Sequence, residues 1–519
     1  MPKKEKSLES SLWESANKLR GNVEPSEYKH VVLGLFFLKF ACDKYEERKS
    51  QIIAEGKEKY VDFVEFYTMK NVFYLKERAR WSYLVSNAKQ PNIALLIDDA
   101  LSTIEKDNPT LKGALPDNYY SRTFPDDVTN LSSLLDTVNK IDTLKDKQLD
   151  IIGRVYEYFL GKFSQAEGRD KGEYYTPKCI VNFIASLIQP YKGYIYDPCC
   201  GSGGMFVQSF KFVQSHKGNT KELAIYGQER TATTRKLARM NLAIRGINAD
   251  FGEKAVSTFS DDQHKDLKAD FVMANPPFNQ KNWRAENELI DDPRWNGYIV
   301  PPVGDANYAW ILNIVSKLNQ NGIAGFLLAN GALSDSGDQY QIRKRLIENR
   351  LVEAIIMLPR DMFYTTDISV TLWILNRNKK ERIVELFGQN RHLRDRREEI
   401  LFMDLRQCGS PYEKKFIAFT DDEILKHAKI FHDWQTVEKE TLYKDIPEYC
   451  FSATFEDVKT QDFSLVPNKY IKFINRDENI DFDSKMKQIQ IQLSSLMKEE
   501  EQSKQAVLKV FEDLGYEIK

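Results

Sequence analysis

From Gly193 to Asn376, short apolar runs alternate with longer segments of helical periodicity. The runs that have the length and composition of strands are 193–198, 222–229, 269–277, 322–330, 351–359 and 370–376. The segments between them, such as 234–246 and 307–322, carry apolar residues at the spacing of an amphipathic helix. This alternation predicts a parallel, doubly wound α/β sheet, and the nearly continuous apolar character of the strands predicts helices on both of its faces.

The segments on either side of this alternation have a different character. Residues 1–150 carry amphipathic helical patterns and almost no strand signals, so we predict an all-α amino-terminal domain there. We assign 151–475 to the α/β domain and 476–519 to a carboxy-terminal helix. Apolar residues recur every three or four positions from 482 to 514, with polar interruptions at Glu500 and Ser503. This seam predicts a long helix that pairs either with a partner protein or with its own domain.

Composition and charge exclude several classes of protein. The chain of 519 residues is too long for one ordinary core, and its net charge of −2 argues against a general nucleic-acid coat, though not against a local basic groove. The six cysteines form no CxxC pair and the six histidines form no HExxH motif, so we expect neither disulfides nor a metal site. The apolar stretch 31–42 contains Lys39 and is too short to span a bilayer. We therefore expect a cytoplasmic protein without a membrane segment.

One strongly charged segment, residues 377–400, allows two interpretations. It reads RNKKERIVELFGQNRHLRDRREEI, with charged residues at about every second position. Such a density of charge favours a solvated insertion that contains a hairpin-like strand. It is also compatible with a contact to nucleic acid or to a partner protein.

A glycine-rich turn, YDPCCGSGGMF at 196–206, follows the first strand and precedes a helix. It matches neither the Walker A pattern nor the GxGxxG pattern, so the two common phosphate loops are disfavoured. Asp197 ends the first strand and Glu229 ends the next, where an acid can accept hydrogen bonds from ribose hydroxyls. These features predict an adenosine-type cofactor without a pyrophosphate, and S-adenosyl-L-methionine fits. The loop residues in question are Gly201, Ser202, Gly203 and Gly204.

The segment GEYYTPKCI at 172–180 lies shortly before the first strand. Pro177 can begin a helix at its first position, because that position needs no backbone N–H. The aromatic residues and Thr176 in front of it could lie across the mouth of the glycine turn. There they would cover the methionine end of the cofactor.

The strand at 269–274 is followed by Asn275, Pro276, Pro277 and Phe278. In a doubly wound fold, ligands bind at the sheet edge where this motif lies. The side-chain oxygen of Asn275 and the backbone carbonyl of Pro276 can accept the two hydrogens of an exocyclic amine and favour its tetrahedral form. The prolines fix the direction of that carbonyl, and Phe278 offers a flat face for a flipped-out base. The motif therefore predicts methylation of an amine on a flat base.

Together, DPCCGSGG, GQE and NPPF, preceded by GEYYTP, resemble the motifs of adenine-N6 DNA methyltransferases. The amino-terminal segment 12–40 and GEYYTP narrow the resemblance to the modification subunits of type I restriction–modification systems. Segments 322–333, 358–375 and 464–471 resemble later parts of the same family, so the resemblance covers nearly the whole chain. It implies a Rossmann-like S-adenosylmethionine-dependent methyltransferase domain, an all-α amino-terminal domain and a carboxy-terminal helix.

The resemblance also implies roles for individual residues. The four residues from Asn275 to Phe278 would hold the target adenine. Gly252 and Glu253 match a further cofactor motif of the family, in which either Glu253 or Asp250 would contact the adenine of the cofactor. The other cofactor contacts that the motifs imply are Glu173, Tyr174, Tyr175, Thr176, Pro177, Lys178, Ser202, Gly203, Gly204 and Glu229.

Members of this family leave sequence recognition to a separate specificity subunit, and the resemblance implies the same here. Two modification subunits would join one specificity subunit on double-stranded DNA, and restriction subunits would be added for cleavage. The chain is consistent with this, because it is too short between Phe278 and position 307 for a recognition domain. The alternative is a self-sufficient adenine-N6 DNA methyltransferase whose recognition module lies in 377–470. A scaffold with a decayed site is disfavoured by the intact Asn275 and Gly201.

Overall fold

The computed structural model describes residues 25–125, 128–141, 158–159, 176–363, 367–412, 416–474 and 482–513. The chain divides into two compact units, Met1–Ile471 and Lys472–Lys519. Within the described ranges, the first unit contains a helical part and one large sheet, and the second contains a long helix. The domain boundaries expected after residues 150 and 475 fall outside the described residues.

The secondary structure alternates between helices and strands after residue 193. The α-helices of the described ranges are α1 (Pro25–Ala54), α2 (Glu65–Thr68), α3 (Trp81–Ser86), α4 (Ile93–Asp107), α5 (Tyr119–Thr123), α6 (Val128–Asn139), α7 (Lys178–Ile188), α8 (Gly204–Ser215), α9 (Ala232–Ala243), α10 (Asn307–Lys317), α11 (Gly337–Glu348), α12 (Asp421–Gln435), α13 (Lys439–Leu442), α14 (Phe455–Thr460) and α15 (Phe482–Asp513). The strands are β1 (Gly193–Asp197), β2 (Leu223–Gly227), β3 (Ala249–Asp250), β4 (Ala269–Ala274), β5 (Leu318–Ala329), β6 (Val352–Met357), β7 (Val370–Asn376), β8 (Arg382–Leu386), β9 (Gln389–Leu393), β10 (Glu399–Asp404), β11 (Ser410–Tyr412), β12 (Phe416–Ala418) and β13 (Cys450–Thr454).

Each apolar run that the sequence predicted as a strand overlaps one of these strands, namely β1, β2 and β4 to β7. The helix predicted over 307–322 is shorter than expected, since α10 ends at Lys317 and β5 begins at the next residue. The reason is a sheet contact, because Leu318 pairs with Ala269 of β4 and so becomes part of the strand.

The helical part is built around α1. Its apolar stretch from Val31 to Leu38 is buried, as predicted. The amine of Lys39 is compensated by the Asp43 carboxylate one turn later, at 2.5 Å. The buried Asp98 of α4 accepts hydrogen bonds of 2.8–3.0 Å from three successive backbone N–H groups that begin at Tyr119. This carboxylate therefore satisfies the first N–H groups of α5, which have no partner within their own helix.

The strands of the large sheet lie in the order β13-β10-β6-β7-β5-β4-β1-β2-β3. β1 pairs in parallel with both β2 and β4, so the chain builds outward from β1 in two directions. The carboxyl ends of β1 and β4 therefore flank a topological switch point, which is where ligands bind in such sheets. β7 runs antiparallel to β5 and β6, and β13 runs antiparallel to β10. The sequence pattern predicted only parallel strands, because it does not report direction.

Apolar side chains cover both faces of the sheet. Neighbouring strand residues point to opposite faces, so Ile195 belongs to one core and Tyr196 to the other. Helices α7, α8 and α12 contribute to the first core, and α10 and α11 contribute to the second. The predicted doubly wound α/β fold with helices on both faces is confirmed.

Helix α9 joins the helical part to the sheet. Its residues Leu237 and Met240 belong to the core of the helical part. Its residues Ala238 and Leu242 belong to the core on the first face of the sheet. The helical part and the sheet therefore pack as one unit, and one helix contributes to both cores.

The charged segment 377–400 forms the predicted hairpin, in which β8 pairs with β9. It is not a solvated insertion throughout, because Lys379 and Arg396 are buried. Arg396 donates from Nε to Oε1 of the fully buried Glu353 at 2.8 Å. The amine of Lys379 donates to backbone carbonyls of β6 and β10 at 2.7–2.8 Å. The expectation of a solvated segment is wrong for these two side chains, since they anchor the hairpin to the sheet.

Two strands between 399 and 454 extend the same sheet. β10 pairs with β6 and β13 pairs with β10. Helix α12 packs into the core that also contains α7. These elements are thus integral to the sheet and do not form a separate module.

The carboxy-terminal unit contains the predicted long helix, α15. The apolar seam residues that are about half exposed are Met486, Ile489, Leu493, Leu496, Val507 and Val510. The last predicted seam position, Leu514, lies outside the described residues. Among the helices that the structure describes, none is long and apolar enough to cross a membrane.

Candidate active site

The glycine-rich turn lies at the carboxyl end of β1 and is bonded to the end of β2. The N–H of Cys200 donates to the carbonyl of Gln228 at 3.0 Å, and the N–H of Gln228 donates to the carbonyl of Asp197 at 3.0 Å. Gly201 and Gly203 have φ values of +51° and +77°, a region that favours glycine. The turn is therefore held in one shape by both neighbouring strand ends.

Open space lies in front of this turn. A Cβ atom added at Gly201 or Gly204 would meet no atom of the described structure within 4 Å. The carbonyl of Ser202 is held from behind, where it accepts a hydrogen bond of 2.7 Å from the Asn241 side chain. The turn thus forms a cradle whose backbone a ligand can approach closely.

Two acidic residues border the cradle. One carboxylate oxygen of Glu229 accepts from the N–H of Gly201 at 3.1 Å, and the other accepts from the N–H of Thr231 at 2.8 Å. The buried Asp197 accepts from the N–H of Cys199 at 3.0 Å. Burial raises the pKa of the Asp197 carboxyl to about 7, and the nearby Glu229 acts in the same direction. A cation bound in the cradle would favour the ionised form of Asp197 and would lower this pKa again.

The adjacent cysteines of the turn are not poised for reaction. Burial, together with the charges of Asp197 and Glu229, raises the pKa of both the Cys199 and the Cys200 thiol well above its usual value. Protonated thiols are poor nucleophiles and poor metal ligands. In the part of the chain that the structure describes, no group of His, Cys, Asp and Glu side chains could hold a metal ion.

Asn275 follows β4, next to the switch point. Its Nδ2 donates to the hydroxyl oxygen of Thr176 at 2.9 Å. Its Oδ1 is buried and accepts no hydrogen bond from any described residue. A buried acceptor without a donor destabilises the fold, and a bound ligand with an N–H or O–H group could supply the missing hydrogen bond. In this orientation of the amide, the Thr176 hydroxyl oxygen accepts from Nδ2, and Oδ1 lies on the other side without a donor from the described residues.

The rest of the NPPF motif is fixed by contacts beyond it. The Phe278 ring meets the Phe363 ring edge to face, with centroids 6.3 Å apart and an interplanar angle of 83°. The N–H of Asn279 donates to Oδ1 of Asn307 at 3.0 Å, and Nδ2 of Asn307 donates back to Oδ1 of Asn279 at 2.8 Å. This reciprocal amide pair ties the end of the motif to the start of α10.

The structure brings most of the predicted site residues to one sheet edge. Hydrogen bonds join Thr176 to Asn275 and Gly201 to Glu229, as described above. Pro177 is the residue before α7 rather than its first residue, and Lys178 at its start is exposed. The predicted residues Glu173, Tyr174 and Tyr175 lie outside the described residues.

Asp250 and Glu253, the two candidates for contacting the adenine of the cofactor, have no hydrogen bond to the glycine turn among the described contacts. Asp250 accepts a hydrogen bond of 2.8 Å from the N–H of Gly252, and Glu253 is exposed. The loop that follows returns to the site, since the N–H of Val256 donates to the carbonyl of Glu229 at 3.2 Å. Neither acid is singled out by these contacts.

Two residues with roles at the site were missed by the sequence analysis. Phe363 contacts Phe278 from the loop after β6, and Asn307 fixes Asn279 from the start of α10. Both contacts join segments far apart in the chain, so no local pattern could identify them. Position 363 lay within a segment that the resemblance had marked only as a later sheet motif.

Comparisons with known proteins identify the family. The family model of N-6 DNA methylases matches residues 147–479, and that of the HsdM N-terminal domain matches residues 8–138. The methylase subunit of the type I restriction enzyme HindI from Haemophilus influenzae is 40% identical over 459 residues, which cover 85% of this chain and 99% of that protein. The chain belongs to the methylase subunits of type I restriction enzymes. The predicted resemblance and the predicted enzyme class, DNA methylation at adenine N6, are confirmed.

Other relatives agree with this membership. The MjaIX methylase subunit of Methanocaldococcus jannaschii is 34% identical and covers 98% of this chain and 92% of its own. The crystal structure of a type I methyltransferase subunit from Streptococcus thermophilus superposes with a TM-score of 0.73 at 22% identity, covering 90% of this methylase subunit and 99% of that chain. At this identity the superposition supports the fold alone.

Proposed function

We propose that this methylase subunit transfers a methyl group from S-adenosyl-L-methionine to N6 of an adenine in double-stranded DNA, at sites selected by a separate specificity subunit. The observation that carries the proposal is the buried Oδ1 of Asn275, which has no hydrogen-bond donor among the described residues. A hydrogen-bond acceptor beside a glycine turn whose backbone a cofactor can approach is what transfer to an amine requires.

The residues around the cradle fit the cofactor. The open backbone at Gly201 and Gly204 would accommodate its bulk. Asp197 would hold a cationic ammonium, and Glu229 would accept from ribose hydroxyls. A carboxylate has about four acceptor positions, so ribose hydroxyls can share the Glu229 oxygens with the N–H groups of Gly201 and Thr231. When bound there, S-adenosyl-L-methionine supplies an electrophilic methyl group.

Asn275 and Pro276 would prepare the amine for attack. The lone pair of an aromatic amine is delocalised into its ring, so the nitrogen is a poor nucleophile while it remains planar. Oδ1 of Asn275 and the carbonyl of Pro276 would accept the two amine hydrogens and favour a tetrahedral nitrogen. No strong base is needed, since a proton leaves the nitrogen after the methyl group has been transferred. Pro277 would help to fix the direction of the carbonyl.

Phe278 would provide the platform for the flipped adenine. Its ring is half-buried and is held by the edge-to-face contact with Phe363. Stacking of a base on an aromatic side chain contributes about 1–3 kcal/mol. A held ring loses little further conformational freedom when the base arrives.

The proposed partners follow from the family and from α15. The relatives are subunits of restriction enzymes, and one related structure concerns complex assembly in a type I system. We infer a complex with a specificity subunit, a second methylase subunit and restriction subunits, acting on DNA in the cytoplasm. The exposed seam of α15 is the proposed site of helix pairing. The alternative of a recognition module in 377–470 is disfavoured, because β10 and β13 belong to the main sheet.

Titration calorimetry with S-adenosyl-L-homocysteine, followed by a methyl-transfer assay, tests this function. The purified methylase subunit should bind the ligand in a one-to-one ratio, yet methylate plasmid DNA only after its specificity subunit is added. Absence of ligand binding would remove the cofactor assignment. Site-specific methylation by the isolated chain would favour the self-sufficient alternative.

A further inference from the structure

The two acids that are candidates for contacting the adenine of the cofactor lie at the end of β3, which is Asp250, and in the loop that follows it, which contains Glu253. Gly252 in this loop has a φ of +68°, and its N–H is bound by Asp250. On one side, the N–H of Glu253 donates to Oε1 of Gln263 at 3.1 Å. The other side borders a groove of about 710 Å³ between the helical part and the sheet. The buried Phe251 anchors the loop in the core on the first face of the sheet, next to the Phe206 ring, and hydrogen bonds to the backbone fix the direction of its carbonyls.

The carbonyls of Phe251 and Gly252 are both bound by Arg235 of α9. Its Nε donates to the carbonyl of Phe251 at 3.4 Å, and its Nη2 donates to the carbonyl of Gly252. One guanidinium thus binds two successive carbonyls of the loop. Because the guanidinium is planar and its donors are rigidly spaced, these two bonds define the direction of the backbone.

Arg239, one turn further along α9, connects the same loop to the helical part. Its guanidinium carbon lies 5.9 Å from the centre of the Phe251 ring. Its Nη1 donates to the carbonyl of Lys112 at 2.6 Å. A Cβ atom added at Gly113 would come within 2.8 Å of this nitrogen, so the helical part leaves room for the arginine.

The positive charges of Arg235 and Arg239 repel each other. Positions four apart on a helix face each other, and like charges there are unfavourable. Burial lowers the pKa of both guanidinium groups, and for Arg235 the nearby Arg239 adds to the effect. Neither forms an ion pair with a residue that the structure describes. Their contacts are directed instead to carbonyls of the loop and of the helical part.

We propose that Arg235 is a positioning residue that holds the loop from Asp250 to Glu253 where one of these acids can accept a hydrogen bond from the cofactor's adenine amine. Arg239 links that position to the helical part. This inference rests on the proposed cofactor site. It predicts that Arg235 strengthens the binding of ligands that carry the adenine amine, the cofactor included, and leaves the binding of ligands without that amine unchanged.

The test compares two ligands that differ at the amine. S-adenosyl-L-homocysteine carries the amine at position 6, and S-inosyl-L-homocysteine carries a carbonyl there. Calorimetry should show that the wild-type protein prefers the adenosyl ligand by at least about tenfold, as expected for a hydrogen bond to a carboxylate. Arg235→Met should bring the ratio close to one by weakening the adenosyl ligand alone. Arg235→Lys, which can still donate to a carbonyl, should give an intermediate ratio.

Lys236→Met is the matched control, because Lys236 lies on the same helix and has no hydrogen bond or ion pair to the described part of the chain. It should keep the wild-type ratio. Equal weakening of both ligands by Arg235→Met would indicate a merely structural role and overturn the inference. So would an unchanged ratio, or a wild-type protein without adenine preference. If Arg235→Met does not fold, Arg235→Lys decides by the same criterion. Failure of the wild-type protein to bind either ligand would instead refute the proposed function.

Discussion

The orientation of Asn275 can be tested by replacing Thr176 with valine. Valine has nearly the shape of threonine but cannot accept the hydrogen bond that Nδ2 of Asn275 makes at 2.9 Å. Without it, the amide is free to flip. A flipped amide would point its NH₂ group at the target amine, and two donors would then face each other.

The expected size of the effect follows from that hydrogen bond. A buried donor that loses its partner costs about 1–3 kcal/mol, and 1.4 kcal/mol corresponds to a factor of ten. The rate of methyl transfer by Thr176→Val should therefore fall by about 5- to 150-fold. Thr176→Ser keeps a hydroxyl at the same place, so its rate should stay close to that of the wild-type protein.

Single-turnover transfer of a labelled methyl group, at saturating DNA and cofactor, is the appropriate assay. The complex with the specificity subunit should be used, and the Kd for S-adenosyl-L-homocysteine should be measured beside it. The predicted loss is in the rate at saturation. A wild-type rate for Thr176→Val, or a loss confined to cofactor affinity, would refute the role given to this contact.

Three further perturbations test other parts of the structure. Cofactor binding should weaken as the pH falls below about 7 and should level off above it. The reason is that a bound cation favours the ionised form of Asp197, whose pKa burial raises to about 7. Asp197→Asn should remove this pH dependence in calorimetry. Glu353→Gln should lower the free energy of unfolding by about 3–5 kcal/mol in urea titrations, because it leaves Arg396 buried without its counter-charge. The double variant Glu353→Gln with Arg396→Met should lose less of this free energy. Deletion of residues 472–519 should reduce co-purification of the specificity subunit while leaving the cofactor affinity unchanged, and equal losses in both would place this segment in the catalytic core.

The sheet could be predicted from the sequence because its strands are short, apolar and separated by helices. The pattern did not reveal that β7 is antiparallel, since the direction of a strand is not encoded in its hydrophobicity. The charge density of segment 377–400 led to the wrong prediction that all of its charged side chains are solvated. Arg396 pairs with Glu353, 43 residues earlier in the chain, and a local count of charges cannot distinguish such a pair from a solvated surface.

The fold brings several predicted site residues together through contacts that the sequence did not predict. Resemblance and chemistry singled out both Thr176 and Asn275, which lie 99 residues apart. Their hydrogen bond, which orients the amide, becomes visible only when β4 and the start of α7 are placed side by side. The support from Phe363 and Asn307 was missed for the same reason, because each contact depends on the folded chain.

The identity of the methylated nucleoside tests the central claim most directly. The methylase subunit, purified with its specificity subunit, should be incubated with unmethylated DNA and labelled S-adenosyl-L-methionine, and the digested nucleosides separated. The label should appear in N6-methyl-2′-deoxyadenosine for the wild-type protein and be absent for Asn275→Ala, which should still bind S-adenosyl-L-homocysteine. Label in a methylated cytosine, or undiminished label with Asn275→Ala, would contradict the account of Asn275 as the acceptor for the adenine amine.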